Sequence, residues 1–354
     1  MVTVLFSYIF EEKSSGMRLH LFLQGGESVM RIAGTGSYLP EKVVNNEELR
    51  RTLGLDKGWI ERRTGILERR YVENEDILYI AVEAARRAME DYDGKPELIL
   101  VHTSSPESSF PSIASKLAEK LGLTPVLAYD IVSGCTGFNQ TLISAIAIME
   151  KFNLKSSMLV SAEILSKKLD YSDKDTSILF GDGAGALILE SKGRYGNFII
   201  SKDFGTDVRL CESLKLGIDL NSKIEMNGSE VFRFAVRNSI ESIKNIVEKI
   251  GMSIQDIDKF IPHQSNARIL KAVIRELNIP EEKIVSNISL IGNTGSSSIP
   301  IAMDEARRNG KLENNQKVLL TSYGAGLSWN SLLLNWRMDE EEKSCVLETV
   351  FQNY

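Results

Sequence analysis

Cys135 stands in the run Val132-Ser133-Gly134-Cys135-Thr136-Gly137-Phe138, between a strand-like stretch and an apolar helical one. A thiol there sits at the positive end of a helix dipole, among unpaired N–H groups. Both effects favour the thiolate, which is the nucleophile. The flanking Gly134 and Gly137 allow a tight turn and close approach of a substrate. The plainer reading of Cys135 is a buried structural cysteine. His263, in Ile261-Pro262-His263-Gln264-Ser265-Asn266, and Asn293, in Gly292-Asn293-Thr294-Gly295, also occupy loop mouths. A neutral imidazole and an amide can each donate a hydrogen bond to one oxygen, making an oxyanion hole that stabilises an enolate. Taken alone, His263 also reads as a satisfied, half-buried histidine, and Asn293 as a cap or turn residue. Only His20, His102 and His263 exist, so a mechanism with several histidines must draw on that list.

The elements that must position these residues alternate. Apolar spacing predicts helices over 76–92, 111–121, 137–152, 231–250, 266–277 and 299–309. Short apolar runs predict strands over 97–102, 126–131, 157–161, 259–261, 283–285, 317–322 and 327–336. Residues 177–190 read as two strand segments around a glycine bend. This grammar predicts an α/β fold with buried, mostly parallel strands. Three matched features recur at nearly one offset: His102 with His263, Cys135 with Asn293, and Val160 with Leu320 are 161, 158 and 160 residues apart. A duplicated half of about 160 residues follows, and a site is expected where the loops of the two halves meet.

The 354 residues suffice for one large domain or two ordinary ones, and 43% hydrophobic with 25% charged content is ordinary for a globular chain. A net charge of −6 argues against general nucleic-acid binding. Three scattered cysteines, at 135, 211 and 345, make neither a disulfide framework nor a zinc cluster, and they suit a reducing cytoplasm. No run reaches the length of a membrane-spanning helix, and the apolar start lacks the basic residues of a signal peptide. Residues 1–29 are read as an N-terminal extension, either a natural tail or an over-long start. Residues 337–354 are read as a C-terminal tail. Between them the expected halves are 30–190, with the cysteine, and 191–336, with the histidine and asparagine. The GDGAG at 181–185 lacks the strand–loop–helix setting of a dinucleotide loop, because strand-like residues flank it on both sides.

These motifs carry a resemblance. Over about 31–336 the chain resembles the β-ketoacyl-acyl-carrier-protein synthase III family of thiolase-like condensing enzymes. The resemblance rests on GSYLPEKVVNNEEL (36–49), GWIERRTGILERRY (58–71), FPSIASKLAEKLGL (110–123), SGCTGF (133–138), LFGDGAGA (179–186), PHQSNARI (262–269), GNTGSSSIPIAMDEA (292–306) and YGAGLSWNS (323–331). It implies a thiolase-like fold of two duplicated α/β halves in an α-β-α-β-α layering. It also implies a homodimeric cytoplasmic acyltransferase that joins an acyl thioester to malonyl-acyl-carrier protein by decarboxylative Claisen condensation, initiating fatty acid synthesis or a related pathway. A ketide-forming enzyme of secondary metabolism is the alternative, and a non-catalytic carrier-protein-binding scaffold a lesser one. No metal or redox cofactor is implied; coenzyme A enters as the thioester substrate.

The resemblance assigns roles residue by residue. Cys135 would hold the acyl group, His263 and Asn293 the malonyl thioester oxygen, and the backbone N–H groups of Cys135 and Ala325 the tetrahedral oxyanion. Trp59, Arg63 and Thr64 would line a coenzyme A tunnel, with Asn266 on the pantetheine arm. Phe110 would reach across a dimer interface into the partner's acyl pocket. Arg268, Lys271 and Arg275 on one helix, and Arg233 and Arg237 on another, would dock the acidic carrier protein. In the GDGAG stretch the family has a structural bend near the active site. Two departures stand out. Lys174, within Asp173-Lys174-Asp175-Thr176, replaces an arginine that would stack on adenine, and Asp175 adds a charge that repels phosphates. SGCTGF also differs from the housekeeping pattern, which hints at a different primer.

Overall fold

The computed structural model describes residues 30–192, 198–217, 219 and 221–338; residues 1–29, with His20, and the tail from 339, with Cys345, lie outside them. The first part of the chain runs β1 (Met30–Tyr38), β2 (Lys42–Asn45), α1 (Asn46–Leu53), α2 (Trp59–Thr64), β3 (Glu68–Tyr71), α3 (Ile77–Met89), β4 (Leu98–His102), α4 (Ile113–Leu121), β5 (Leu127–Ile131), α5 (Gly137–Phe152), β6 (Ser156–Ile164) and β7 (Asp182–Ser191). The second runs β8 (Ile199–Thr206), β9 (Leu214–Lys215), β10 (Glu225–Met226), α6 (Gly228–Lys249), β11 (Lys259–Pro262), α7 (Ala267–Leu277), α8 (Ile288–Ile291), α9 (Ser298–Arg308), β12 (Lys317–Gly324) and β13 (Ser328–Asn335).

Two sheets dominate, ordered β1-β7-β6-β4-β5 and β11-β12-β13-β8. They share one plan. In each, a parallel pair (β4 with β6, β11 with β12) is followed by two antiparallel neighbours. The expectation of mostly parallel strands is therefore corrected to a mixed sheet. Helices cover both faces, so antiparallel strands lose the alternation that normally marks them and read as continuous apolar runs. Residues 283–285 do not form a strand. Glu281–Lys283 make one tight helical turn, and a single parallel bridge from Phe260 to Ile284 stands where β5 stands in the other sheet. Residues 177–190 are not two strands around a bend either: β7 is continuous from Asp182. Its glycines serve close packing, since a side chain at Gly185 would come within 2.8 Å of the Ile301 backbone on α9.

Five layers result. The central one holds α5 and α9. Phe138, Leu142, Ala145 and Met149, spaced to share one helix face, join Ile299, Ala302 and Met303 in a core that reaches both sheets. The alanine-rich α3 and α4 cover the outer face of the first sheet, and α6 and α7 that of the second. Both central helices begin at the same end of the molecule, where the loops carrying Cys135 and Asn293 meet.

A buried carboxylate ties α9 to β1. Asp304, 1% exposed, accepts hydrogen bonds from Thr35 Oγ1 (2.7 Å), Ser37 Oγ (2.7 Å) and Arg308 Nε (3.0 Å). Asp304→Ala leaves these donors without their acceptor and should cost about 3 kcal/mol. Urea unfolding should show that loss; an unchanged midpoint would refute the role.

Candidate active site

Cys135 lies in a single tight helical turn, Gly134–Thr136, directly ahead of α5. Gly134 has φ +52, a left-handed conformation that suits glycine, and this lets the chain double back. The nucleophile loop packs on the end of β12. A side chain at Gly324 would fall 2.8 Å from Cys135 Cβ, and one at Gly134 would meet the Ala325 backbone nitrogen at 3.4 Å. Gly137 has a different use from the one expected. The His102 ring, not a substrate, occupies the space a side chain would need, at 2.0 Å.

His263 follows β11 and is 1% exposed. Its Nδ1 lies 2.8 Å from Ser298 Oγ, and that oxygen also accepts the Gln264 N–H at 3.2 Å. The Tyr323 ring meets the imidazole edge-on, with centroids 5.5 Å apart, and the Tyr323 hydroxyl bonds Ser265 Oγ. Asn293 is 4% exposed. Its Oδ1 accepts the Gly295 N–H (2.9 Å), and its backbone bonds Leu179 and Gly181. A backbone N–H can only donate, so the bonded side-chain atom is the oxygen, and the amide hydrogens are left for an incoming acceptor.

Cys135, His263 and Asn293 line one cavity of about 680 Å³, together with Arg63, Thr64, Asn266, Tyr323 and Gly324. Burial pushes the Cys135 thiol up to about 12, helped by the Glu163 carboxylate. Desolvation and the neighbouring Glu163 carboxylate thus oppose the thiolate that the start of α5 would favour. Burial also holds His263 down to about 3, so it is a neutral imidazole.

The remaining expected residues divide. Arg63 lies over the Trp59 ring (4.7 Å) and pairs with Asp175 (3.7 Å). Lys174 is exposed and does not line the cavity; the guanidinium over Trp59 comes from Arg63. The Thr64 hydroxyl is used within its own chain turn, donating to the Ile60 carbonyl and accepting the Ile66 N–H. Asn266 caps α7 through Oδ1 and donates Nδ2 to the Arg63 carbonyl (3.2 Å), fastening the two cavity walls together. Arg233 and Arg268 line the cavity, and Arg237, Lys271 and Arg275 are exposed on the same two helices. Phe110 is 86% exposed and does not line this chain's own cavity. The motif reading missed His102, Ser296, Ser298 and the Ser265–Tyr323 pair. A histidine ending the wholly apolar strand LILVH was the available signal for the first.

Two family models match: 3-oxoacyl-[acyl-carrier-protein] synthase III over residues 129–208, and the C-terminal part of that family over 247–336. A β-ketoacyl-[acyl-carrier-protein] synthase III of Clostridium acetobutylicum is 40% identical over 321 residues, covering 87% of this chain and 98% of that one. The crystal structure of 3-oxoacyl-[acyl-carrier-protein] synthase III from Aquifex aeolicus superposes with a TM-score of 0.82 at 36% identity, over 87% of this chain and all of that one. The priming β-ketosynthase of the R1128 polyketide pathway also reaches 0.82, at 30% identity, over 92% of this chain and all of that one. With such likeness running through both sheets and the loops of Cys135, His263 and Asn293, the chain belongs to the β-ketoacyl-acyl-carrier-protein synthase III family.

Proposed function

We propose that Cys135 takes an acyl group from a thioester and that His263 and Asn293 then drive decarboxylation of malonyl-acyl-carrier protein, giving a β-ketoacyl-carrier protein. One observation carries this reading: a thiol, a neutral imidazole and an amide with its hydrogens left for a ligand line a single cavity. In the first step Cys135 Sγ adds to the thioester carbonyl. The oxyanion is held by the N–H groups of Cys135 and Ala325, whose loops pack together. Collapse breaks the substrate carbon–sulfur bond, and the thiol proton leaves with the departing thiol. In the second step the malonyl thioester oxygen lies between His263 and Asn293. Ser298 Oγ accepts the Gln264 N–H and offers its own proton to Nδ1, which leaves the ring proton on Nε2 as the donor. The bond to the carboxylate breaks, CO₂ leaves, and its electron pair forms the enolate. The enolate carbon attacks the acyl carbonyl, and Cys135 is expelled as thiolate and takes up a proton from solvent water. No metal or redox cofactor enters these steps.

The partners follow from the same surfaces. Arg233, Arg237, Arg268, Lys271 and Arg275 give an acidic carrier protein a basic landing at the cavity mouth. A homodimer is supported by Phe110 and Val132 (86% and 69% exposed) and by the edge strand β5, with Leu127 48% exposed. Among the described residues no helix is long and apolar enough to cross a membrane, and Cys135 and Cys211 are unpaired; a cytoplasmic setting suits both. The acyl donor is where this chain is distinctive. Arg63 is drawn toward Asp175 and covers Trp59, so adenine must displace it while Asp175 faces the phosphates. A pantetheine arm on a carrier protein brings no adenine, so acyl-carrier protein competes with acyl-CoA here. The same feature, with the likeness to a polyketide priming synthase, favours a pathway-specific primer as the second reading.

Cys135→Ala should abolish the covalent acyl adduct seen by intact-protein mass. His263→Ala and Asn293→Ala should each keep that adduct while release of labelled CO₂ falls by roughly 10²–10³, as removal of one oxyanion donor does. Unchanged CO₂ release in either variant would refute its role. Asp175→Asn should lower KM for acyl-CoA roughly fivefold, about 1 kcal/mol, and leave acyl-carrier protein unaffected. Equal gains with both donors would remove the argument for a carrier-bound primer.

A further inference from the structure

His102, Ser296 and Glu163 lie fully buried beneath the active site, and none of them lines the substrate cavity. We propose that they form a directed hydrogen-bond relay that holds the Cys135 turn against the Asn293 loop, making His102 a positioning residue for both half-reactions. The inference rests on the roles proposed for Cys135 and Asn293.

The direction of each bond follows from the one before it. Ser133 N–H, two residues ahead of the nucleophile, points at His102 Nε2 at 3.0 Å. A backbone N–H can only donate, so Nε2 is the unprotonated nitrogen. The neutral ring then carries its proton on Nδ1, which meets Ser296 Oγ at 2.7 Å. With that lone pair used, the Ser296 hydroxyl proton is free for Glu163 Oε1, also at 2.7 Å. Glu163 ends the chain as an acceptor. It also receives Ser104 N–H at 3.0 Å, Ser104 Oγ at 3.1 Å and Ser105 Oγ at 3.4 Å. Ser161 Oγ touches Ser296 from the side.

The relay is rigid because its members are packed on glycines. The His102 ring lies against Gly137, the first residue of α5, where any side chain would strike Nε2 and Cδ2 at 2.0 Å. The Glu163 side chain lies under Gly295, where a side chain would meet its Cγ at 3.3 Å. Gly295 is the residue whose N–H fixes Asn293 Oδ1. One line of bonds and contacts thus runs from the backbone before Cys135 to the backbone that orients Asn293, from one half of the molecule to the other. The titratable group facing the ring is Glu163 on β6, 3.5 Å from Nδ1; burial pushes its carboxyl up to about 7, and in either form it keeps an oxygen that accepts the Ser296 hydroxyl, while the Ser133 N–H fixes the ring tautomer. Burial holds His102 down to about 3, consistent with a ring that stays neutral in this setting.

Two measurements test this. In ¹⁵N-histidine-labelled protein, His102 should be a neutral Nδ1–H tautomer from pH 8 to pH 5; an Nε2–H tautomer, or an imidazolium at pH 6, would overturn the relay whatever the catalytic roles are. In kinetics, Ser296→Ala should lower the rate constants of Cys135 acylation and of malonyl decarboxylation together, by roughly tenfold or more, with KM within about twofold. Ser296→Thr, which keeps the hydroxyl, should recover most of both. Wild-type rates in folded Ser296→Ala, a loss confined to one half-reaction, or no recovery with threonine would contradict coupling. Failure of the Cys135 and Asn293 assignments would instead show in their own variants, with the His102 tautomer unchanged.

Discussion

The site depends on one packing constraint: α5 and α9 must lie together between the two sheets and start at the same level. Their apolar faces are buried against both sheets, and the tight packing of β7 on α9 at Gly185 leaves little room for a shift. Interiors this dense resist sliding, because a displaced helix opens voids on one side and clashes on the other. The residues that precede each helix are therefore set by the core rather than by the loops themselves. Cys135 precedes α5 and Asn293 precedes α9. His263, after β11, is anchored to the first residue of α9 through Ser298.

The thiol is pushed up and the imidazole down by the same burial. A desolvated cavity suits decarboxylation, because a carboxylate is poorly solvated there and the departing CO₂ is apolar. Two anchors hold the proposed donors: the Gly295 N–H fixes Asn293 Oδ1, and Ser298 Oγ, which accepts the Gln264 N–H, fixes His263 Nδ1. Charge collects instead at the mouth, where Arg63, Arg233 and Arg268 line the cavity and Asp175 opposes the first of them.

That Cys135, His263 and Asn293 share one cavity was legible because Gly-Cys-x-Gly, Pro-His-Gln and Gly-Asn-Thr-Gly each sit where a strand period stops and a helix period starts. The duplication was legible for the same reason, and it reappears as two sheets of one plan. Strand direction was not legible, since helices bury both faces of each sheet and erase the alternation. Residues 283–285 misled because Ile284 and Val285 are apolar, while the preceding Pro280-Glu281-Glu282 favours a turn. Gly137 misled because a glycine beside a nucleophile suggests substrate approach, whereas the approaching group is His102, 35 residues earlier in the chain. Polar partnerships of this kind span the fold and leave no local period. The opposition to a thiolate was hidden for a related reason: a helix dipole is visible in sequence, but burial and the neighbouring Glu163 are not.

The most direct test of the account is the product itself. The protein should be mixed with an acyl-carrier protein and malonyl-carrier protein labelled with ¹³C at the free carboxyl, and the carrier-bound species weighed by mass spectrometry. The account predicts a β-ketoacyl-carrier protein heavier than the acyl-carrier protein by an unlabelled two-carbon ketide unit, with the label recovered entirely as CO₂. Acyl exchange between thiols, or hydrolysis, with no carbon–carbon bond formed would contradict it.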